Sequence, residues 1–300
     1  MTSAVAAGGA LVTQALVRRS LAAYPAPGEF VTVDGVRLHY VRRGTGRPLV
    51  FIHGAKGSVY DFTLSLFDAA AQRYDAVAVD RPGCGYSERP ATDGGSPIVQ
   101  ARFIRGVVRA LGLERPVLVG HSLGGAAAMA YAVGYPDEVG AVVTISGHVL
   151  PYSGPQPSMT ALARHRLLAA VVLRTIAVPF GYAVGPAIVR RLFAPDPENV
   201  KYRRVALALA LRPDRLAHDA DDLHAVNEGL RAIYRSYPRV RVPLLVLTGS
   251  ADHVVSPEES NRLHRLVPGS RLVVLPGVGH LPHFARPDAV LAAIAEIAAV

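Results

Sequence analysis

The sequence predicts an α/β domain built on a doubly wound, mostly parallel sheet, and three observations carry that expectation. Short continuous apolar runs at residues 48–52, 76–79, 116–119, 139–145 and 243–248 read as strands buried on both faces. Helix-like segments separate most of them, and such alternation implies parallel strands joined by right-handed crossovers. Finally, Gly120-His121-Ser122-Leu123-Gly124-Gly125 lies between one of these strands and an Ala-rich segment. A strand, a tight turn and a helix around G-x-S-x-G is the setting of a nucleophile elbow.

The elements follow in order. Residues 30–33 and 36–41 flank Asp34-Gly35, a pair suited to a type I′ hairpin turn. The run 48–52 is a buried strand ending at His53-Gly54, and a helix is expected over 60–72. The strand 76–79 ends at Asp80. A helix over 96–111 has Ser96 as N-cap, Pro97 in its first turn and Gly112 closing it. The elbow helix ends near Tyr135-Pro136, and 139–145 is the next strand. From 148 to 239 no buried strand is apparent. Turns at Pro151, Pro155 and Pro157 precede helix-like stretches at 160–177, 182–193, 199–211 and 220–237. The pattern then resumes with strand 243–248, a helix from Pro257, strand 271–275 and a helix from Pro287. The expected organisation is an N-terminal segment 1–29, a core of 30–147 and 241–300, and a helical cap over 148–240.

Composition narrows the function classes. Half of the 300 residues are hydrophobic and 18% are charged, enough for a large core. The single Cys84 excludes an internal disulfide, and no metal-ligand spacing or phosphate-binding glycine loop is present, so neither metal nor cofactor is expected. The net charge is +9, with 13 Lys/Arg against 7 Asp/Glu in 148–239. The arginines are dispersed and not interleaved with aromatics, so no nucleic-acid partner is expected. Residues 4–17 are uncharged and precede Arg18-Arg19. That run is short and weakly apolar for a span, and its arginines follow the apolar part, unlike a secretory signal. A surface helix is the favoured expectation, and membrane contact through residues 4–19 is the weaker one. A cytoplasmic location is expected, with peripheral membrane association as the alternative. Oligomeric state is not legible.

Serine is a poor nucleophile unless a base takes its proton, and that base needs a carboxylate to fix its tautomer. The elbow therefore calls for a carboxylate and then a histidine, each just past a later strand. Asp252 follows the 243–248 strand and His280 follows the 271–275 strand. His253 and His283 compete for the role of base; His253 shares the acid's loop, and His283 suits site lining or packing. The strand ending Ile145-Ser146-Gly147-His148 offers no rival carboxylate. Backbone N–H groups of Ala55 and Leu123 are expected to hold a developing oxyanion, and His53, Gly54 and His121 to line the substrate site.

Together, His53-Gly54, the loop Asp80-Arg81-Pro82-Gly83-Cys84-Gly85-Tyr86-Ser87, the elbow, and the Asp252 and Gly279-His280 loops make residues 30–300 resemble capped α/β-hydrolase-fold enzymes. The resemblance implies an eight-stranded sheet with helices on both faces and 148–239 as a lid. The Asp80 loop is similar to the D-R-P-G-x-G-x-S segment shared by esterases, haloalkane dehalogenases and epoxide hydrolases. Its implied role is architectural, which makes Cys84 a packed thiol. Dehalogenases and epoxide hydrolases place aspartate where Ser122 stands, so the expected activity is hydrolysis of a small-molecule carboxylic ester, with a hydrophobic acyl group, through an acyl-enzyme. Carbon–carbon bond hydrolysis, perhydrolysis of the haloperoxidase type and acyl transfer use the same residues and stay open. So does a non-catalytic ligand-binding receptor.

Overall fold

The computed structural model describes residues 2–152 and 170–299. Eight strands form one sheet: β1 (Glu29–Val33), β2 (Val36–Arg43), β3 (Pro48–Ile52), β4 (Asp75–Val79), β5 (Val117–His121), β6 (Ala141–Ile145), β7 (Leu244–Gly249) and β8 (Arg271–Leu275). Their order is β1-β2-β4-β3-β5-β6-β7-β8. β2 pairs antiparallel with β1 and β4, and every other neighbour is parallel. Asp34 and Gly35 have φ of 48° and 77°, the two positive values a type I′ turn requires.

The helices are α1 (Thr2–Ala23), α2 (Tyr60–Thr63), α3 (Phe67–Ala70), α4 (Pro97–Ala110), α5 (Leu123–Gly134), α6 (Val178–Phe193), α7 (Val200–Ala210), α8 (Pro213–Ile233), α9 (Pro257–Leu266), α10 (Pro282–Ala285) and α11 (Pro287–Ala298). Successive strand side chains point to opposite faces, and the core divides accordingly. Leu49, Phe51, Val119 and Leu247 pack with Phe62, Phe67 and Ile294 on one face. Val50, Ile52, Val79 and Leu118 pack with Ile104, Met129 and Leu230 on the other.

Three expected helices change their bounds. The 60–72 helix divides into α2 and α3, because Ser65 Oγ turns back onto the carbonyls of Asp61 and Phe62 at 2.8 and 3.1 Å. A hydroxyl bonded in this way competes with continuation of the helix. The 220–237 helix begins earlier, at Pro213, whose fixed φ suits a first turn, and Arg212 before it is extended. The 182–193 helix is the end of a longer one running from 170, with a π-helical turn at Leu173–Ala177. The expected helix 160–177 falls mostly outside the described residues, as do Pro155 and Pro157.

At the elbow the chain runs from β5 straight into α5, and the two must nearly touch. A Cβ on Gly124 would lie 2.0 Å from the Ile52 carbonyl oxygen, and one on Gly120 2.4 Å from the Gly124 carbonyl oxygen. Both obstacles are backbone and cannot rotate away. Gly124→Ala is therefore expected to destabilise the fold by about 3 kcal/mol, read as a lower urea midpoint at unchanged slope.

Candidate functional site

Four strand ends converge where the sequence places its polar residues. At the end of β5, Ser122 has φ 50° and ψ −119°, a positive-φ conformation costly for a residue with a Cβ. The turn is fixed on both sides. The Ser122 N–H donates to the Ile145 carbonyl at 3.0 Å, and the Ser122 carbonyl accepts from Gly125 and His148 N–H at 2.9 and 3.0 Å. Beyond β3, a Cβ on Gly54 would sit 3.0 Å from Ser122 Cβ, so the 53–57 loop lies directly against the serine.

Past β7 and β8, Asp252 and His280 meet. His280 Nδ1 donates to Asp252 Oδ2 at 2.8 Å, and both side chains are buried. The other carboxylate oxygen accepts from the N–H groups of Val254 and Val255 at 2.8 and 3.0 Å, which locks its orientation. Burial pushes the Asp252 carboxyl up, but the His280 hydrogen bond and charge, with the two N–H groups, outweigh it and hold the pKa below its ordinary value. Burial also lowers the His280 pKa, against the opposing pull of Asp252. His280 is thus neutral at neutral pH, with Nε2 as its lone-pair nitrogen.

His121 links the serine to the histidine. Its Nε2 donates to the His280 carbonyl at 3.0 Å, and the two rings lie 4.8 Å apart between centroids. Adjacent to Ser122 in sequence, it joins the elbow to the His280 loop.

The other expected site residues are placed differently. His53 does not line the site: it is fully buried, its Nδ1 donates to the Gly54 carbonyl at 2.8 Å and its Nε2 accepts from Arg81 N–H at 3.0 Å. His121 is also buried, with its Nε2 committed to the His280 carbonyl. Of the rival bases, His253 is exposed. His283 is fully buried among His121, Phe62 and Phe284, with ring centroids 4.6 to 5.1 Å away. Burial and the neighbouring His121 and His280 hold its pKa well below the ordinary value. These lowered histidine pKa values have a consequence for stability. Below about pH 6.5 the unfolded chain takes up protons that the folded one resists, so stability is full above that pH and lost as pH falls. The urea midpoint is expected to be lower at pH 5 than at pH 7.5.

The Asp80 loop is architectural, as its pattern implied. Asp80 Oδ1 accepts from Val59 N–H at 2.7 Å, and Oδ2 accepts from Tyr86 N–H at 2.8 Å and meets His39 Nδ1 at 2.7 Å. Buried Arg81 donates to the Gly54 carbonyl at 3.1 Å, so this loop props the one facing Ser122. It also receives α8: His218 Nδ1 donates to the Gly83 carbonyl at 3.0 Å, and Arg215 donates to the Ser87 carbonyl at 2.9 Å. Cys84 is buried, as expected of a packed thiol.

Two carboxylates escaped the sequence reading. Asp61 is buried 3.8 Å from His121 Nδ1 and accepts from Tyr202 Oη of α7 at 3.2 Å. Glu259 accepts from the N–H groups of Val149 and Leu150 at 2.7 and 2.8 Å, just beyond β6. Neither belongs to a recognisable motif, and only folding brings them to the site's edge.

The eight-stranded sheet thus carries Ser122 on a strained strand-to-helix turn after β5 and the Asp252–His280 pair past β7 and β8. Residues 49–293 match the model of the Alpha/beta hydrolase family, and the chain belongs to that family. It is 28% identical over 272 residues to 2-(acetamidomethylene)succinate hydrolase of Mesorhizobium japonicum, covering 88% of this chain and 92% of that protein. It is 29% identical over 284 residues to haloalkane dehalogenase 2 of Mycobacterium bovis, covering 91% and 95%. Among solved structures, the enol-lactonase from Burkholderia xenovorans LB400 superposes with a TM-score of 0.73 at 20% identity, covering 91% of this chain and 100% of that one. The protein is an enzyme of the hydrolase class.

Proposed function

We propose that the protein cleaves carboxylic esters through an acyl-enzyme formed on Ser122. The observation that carries this reading is the buried His280–Asp252 pair, neutral at the imidazole and anionic at the carboxylate, joined through His121 to the elbow serine. Ser122 Oγ attacks the acyl carbon while His280 Nε2 takes its proton, and Asp252 stabilises the imidazolium. The imidazolium then protonates the departing alcohol, and water activated by His280 releases the acid. Leu123 is the first residue of α5, so its N–H has no acceptor within the helix. With the N–H of Ala55 on the facing loop, it is assigned to the oxyanion. An apolar cluster of Phe193, Tyr202, Leu281 and Phe284 borders the His280 loop and suits a hydrophobic acyl group. We assign residues 148–240, whose described helices α7 and α8 hydrogen-bond to Asp61 and the Asp80 loop, as the cap.

Serine at 122 also separates this chain from the chemistry named for its dehalogenase relative, because a neutral hydroxyl needs a base before it can attack. The test is labelling with a fluorophosphonate probe. Wild type is expected to react at Ser122 and the Ser122→Ala variant not at all; equal labelling of both, or of neither, refutes the reading. His280 must be neutral to act as base, and its pKa is lowered. The acid limb of kcat/KM is therefore expected below pH 6.5, with a plateau above it, measured on a p-nitrophenyl ester.

A further inference from the structure

We infer that α1 and the helix 170–193 together form a face that docks on an anionic phospholipid bilayer. The first observation is that α1 buries hydroxyls while it shows large apolar side chains to the outside. Thr13 and Ser20 are only 4% and 7% exposed, with Leu16 and Val17 half-buried beside them, whereas Leu11, Val12 and Leu21 are 67%, 50% and 41% exposed. The contact is of the kind helices make in lipid, with a small residue for close approach and a hydroxyl pair as link. A Cβ on Gly9 would lie 2.5 Å from the Thr175 carbonyl oxygen, which Pro179 cannot bond, and Ser20 Oγ lies 2.6 Å from Tyr182 Oη.

The partner helix is apolar outward as well. Ile176, Phe180, Ala183 and Ala187 are exposed at spacings of four, three and four, one stripe of the helix. Ile176 and Phe180 are each 62% exposed. Among the described residues this is the one helix long and apolar enough to cross a membrane. Its opposite side is committed to the protein, because Gly181 and Gly185 admit Leu211, just past α7, and Leu207 of α7. It is therefore suited to lie in the interface and not to span it.

Charge selects the occupant. The two helices carry five arginines, Arg18, Arg19, Arg174, Arg190 and Arg191, and no carboxylate. Gly9 faces Thr175 and Ser20 faces Tyr182, so the helices run in the same direction, with Arg18-Arg19 level with the middle of the partner helix and Arg190-Arg191 at its C-terminal end. An apolar face edged by exposed arginines complements acyl chains under anionic headgroups, where a second protein face would have to supply carboxylates. The sequence favoured an ordinary surface helix for residues 4–19; the outward leucine and valine and the second apolar helix beside them reverse that preference.

The test is flotation of the full-length protein with vesicles of phosphatidylcholine alone or mixed with phosphatidylglycerol, at low and high salt. Binding is expected to the mixed vesicles, weakened by salt and by removal of the anionic lipid. Ile176→Asp with Phe180→Asp, and separately Leu11→Asp with Val12→Asp, are each expected to weaken it by about tenfold or more. Both double variants change exposed side chains, so thermal unfolding and fluorophosphonate labelling should match wild type. Ser122→Ala should float as wild type does, which separates this proposal from the assignment of the nucleophile. Absence of flotation, retention of binding in both double variants, or a dimer in solution that the same substitutions dissociate while vesicles bind neither form, would overturn it.

Discussion

Ser122→Ala is expected to lower kcat for a p-nitrophenyl ester by about a millionfold, leaving only what binding and the oxyanion donors supply. The fold should not register the change. Alanine keeps the Cβ, so the positive-φ strain at position 122 is the same, and the turn is held by backbone hydrogen bonds. The unfolding midpoint is therefore expected to stay within about 0.5 kcal/mol of wild type. A comparable rate in the variant would move the reaction to another group and end the ester-cleaving assignment of Ser122.

Asp252→Asn is expected to lower kcat by about 10⁴-fold, with much of the local geometry retained. The carboxylate uses one oxygen for Val254 and Val255 and the other for His280 Nδ1. An asparagine oxygen can keep the two backbone bonds, which then turns the amide NH2 toward His280. The ring must accept at Nδ1 and so carries its proton on Nε2, the wrong tautomer to receive one from serine. Stability should fall modestly, because the amide preserves the loop contacts while the charge-assisted bond is lost. Steady-state kinetics with urea unfolding of the same preparation separates the two effects. A loss of rate matched by wholesale unfolding would refute the tautomer explanation.

The parts of the site that were legible share a physical character. Ser122, Asp252 and His280 each follow a short apolar run, and strand-end position is local information: burial of β5 and β7 on both faces, and the half-burial of edge strand β8, each write themselves as consecutive apolar residues. The Asp34-Gly35 turn and the helix beginning at Pro97 were readable because φ preference is a property of single residues. The 60–72 helix failed because a side chain, Ser65 Oγ, took carbonyls that the periodic pattern reserved for backbone. His53 and His121 were assigned to the substrate because a polar residue beside a strand end has two directions available. In the fold both turn inward to satisfy carbonyls.

What the sequence by itself determined is the sheet, the strand–turn–helix at Ser122, and the position of Ser122, Asp252 and His280 just past β5, β7 and β8. Those follow from local periodicity, turn chemistry and chain order. Only the tertiary structure decided that Asp61 faces His121, that Glu259 caps the exit of β6, and that α1 shows leucine to the outside while it buries hydroxyls. Such placements depend on which surfaces meet across long separations in the chain, and a residue's own type does not encode what will stand opposite it.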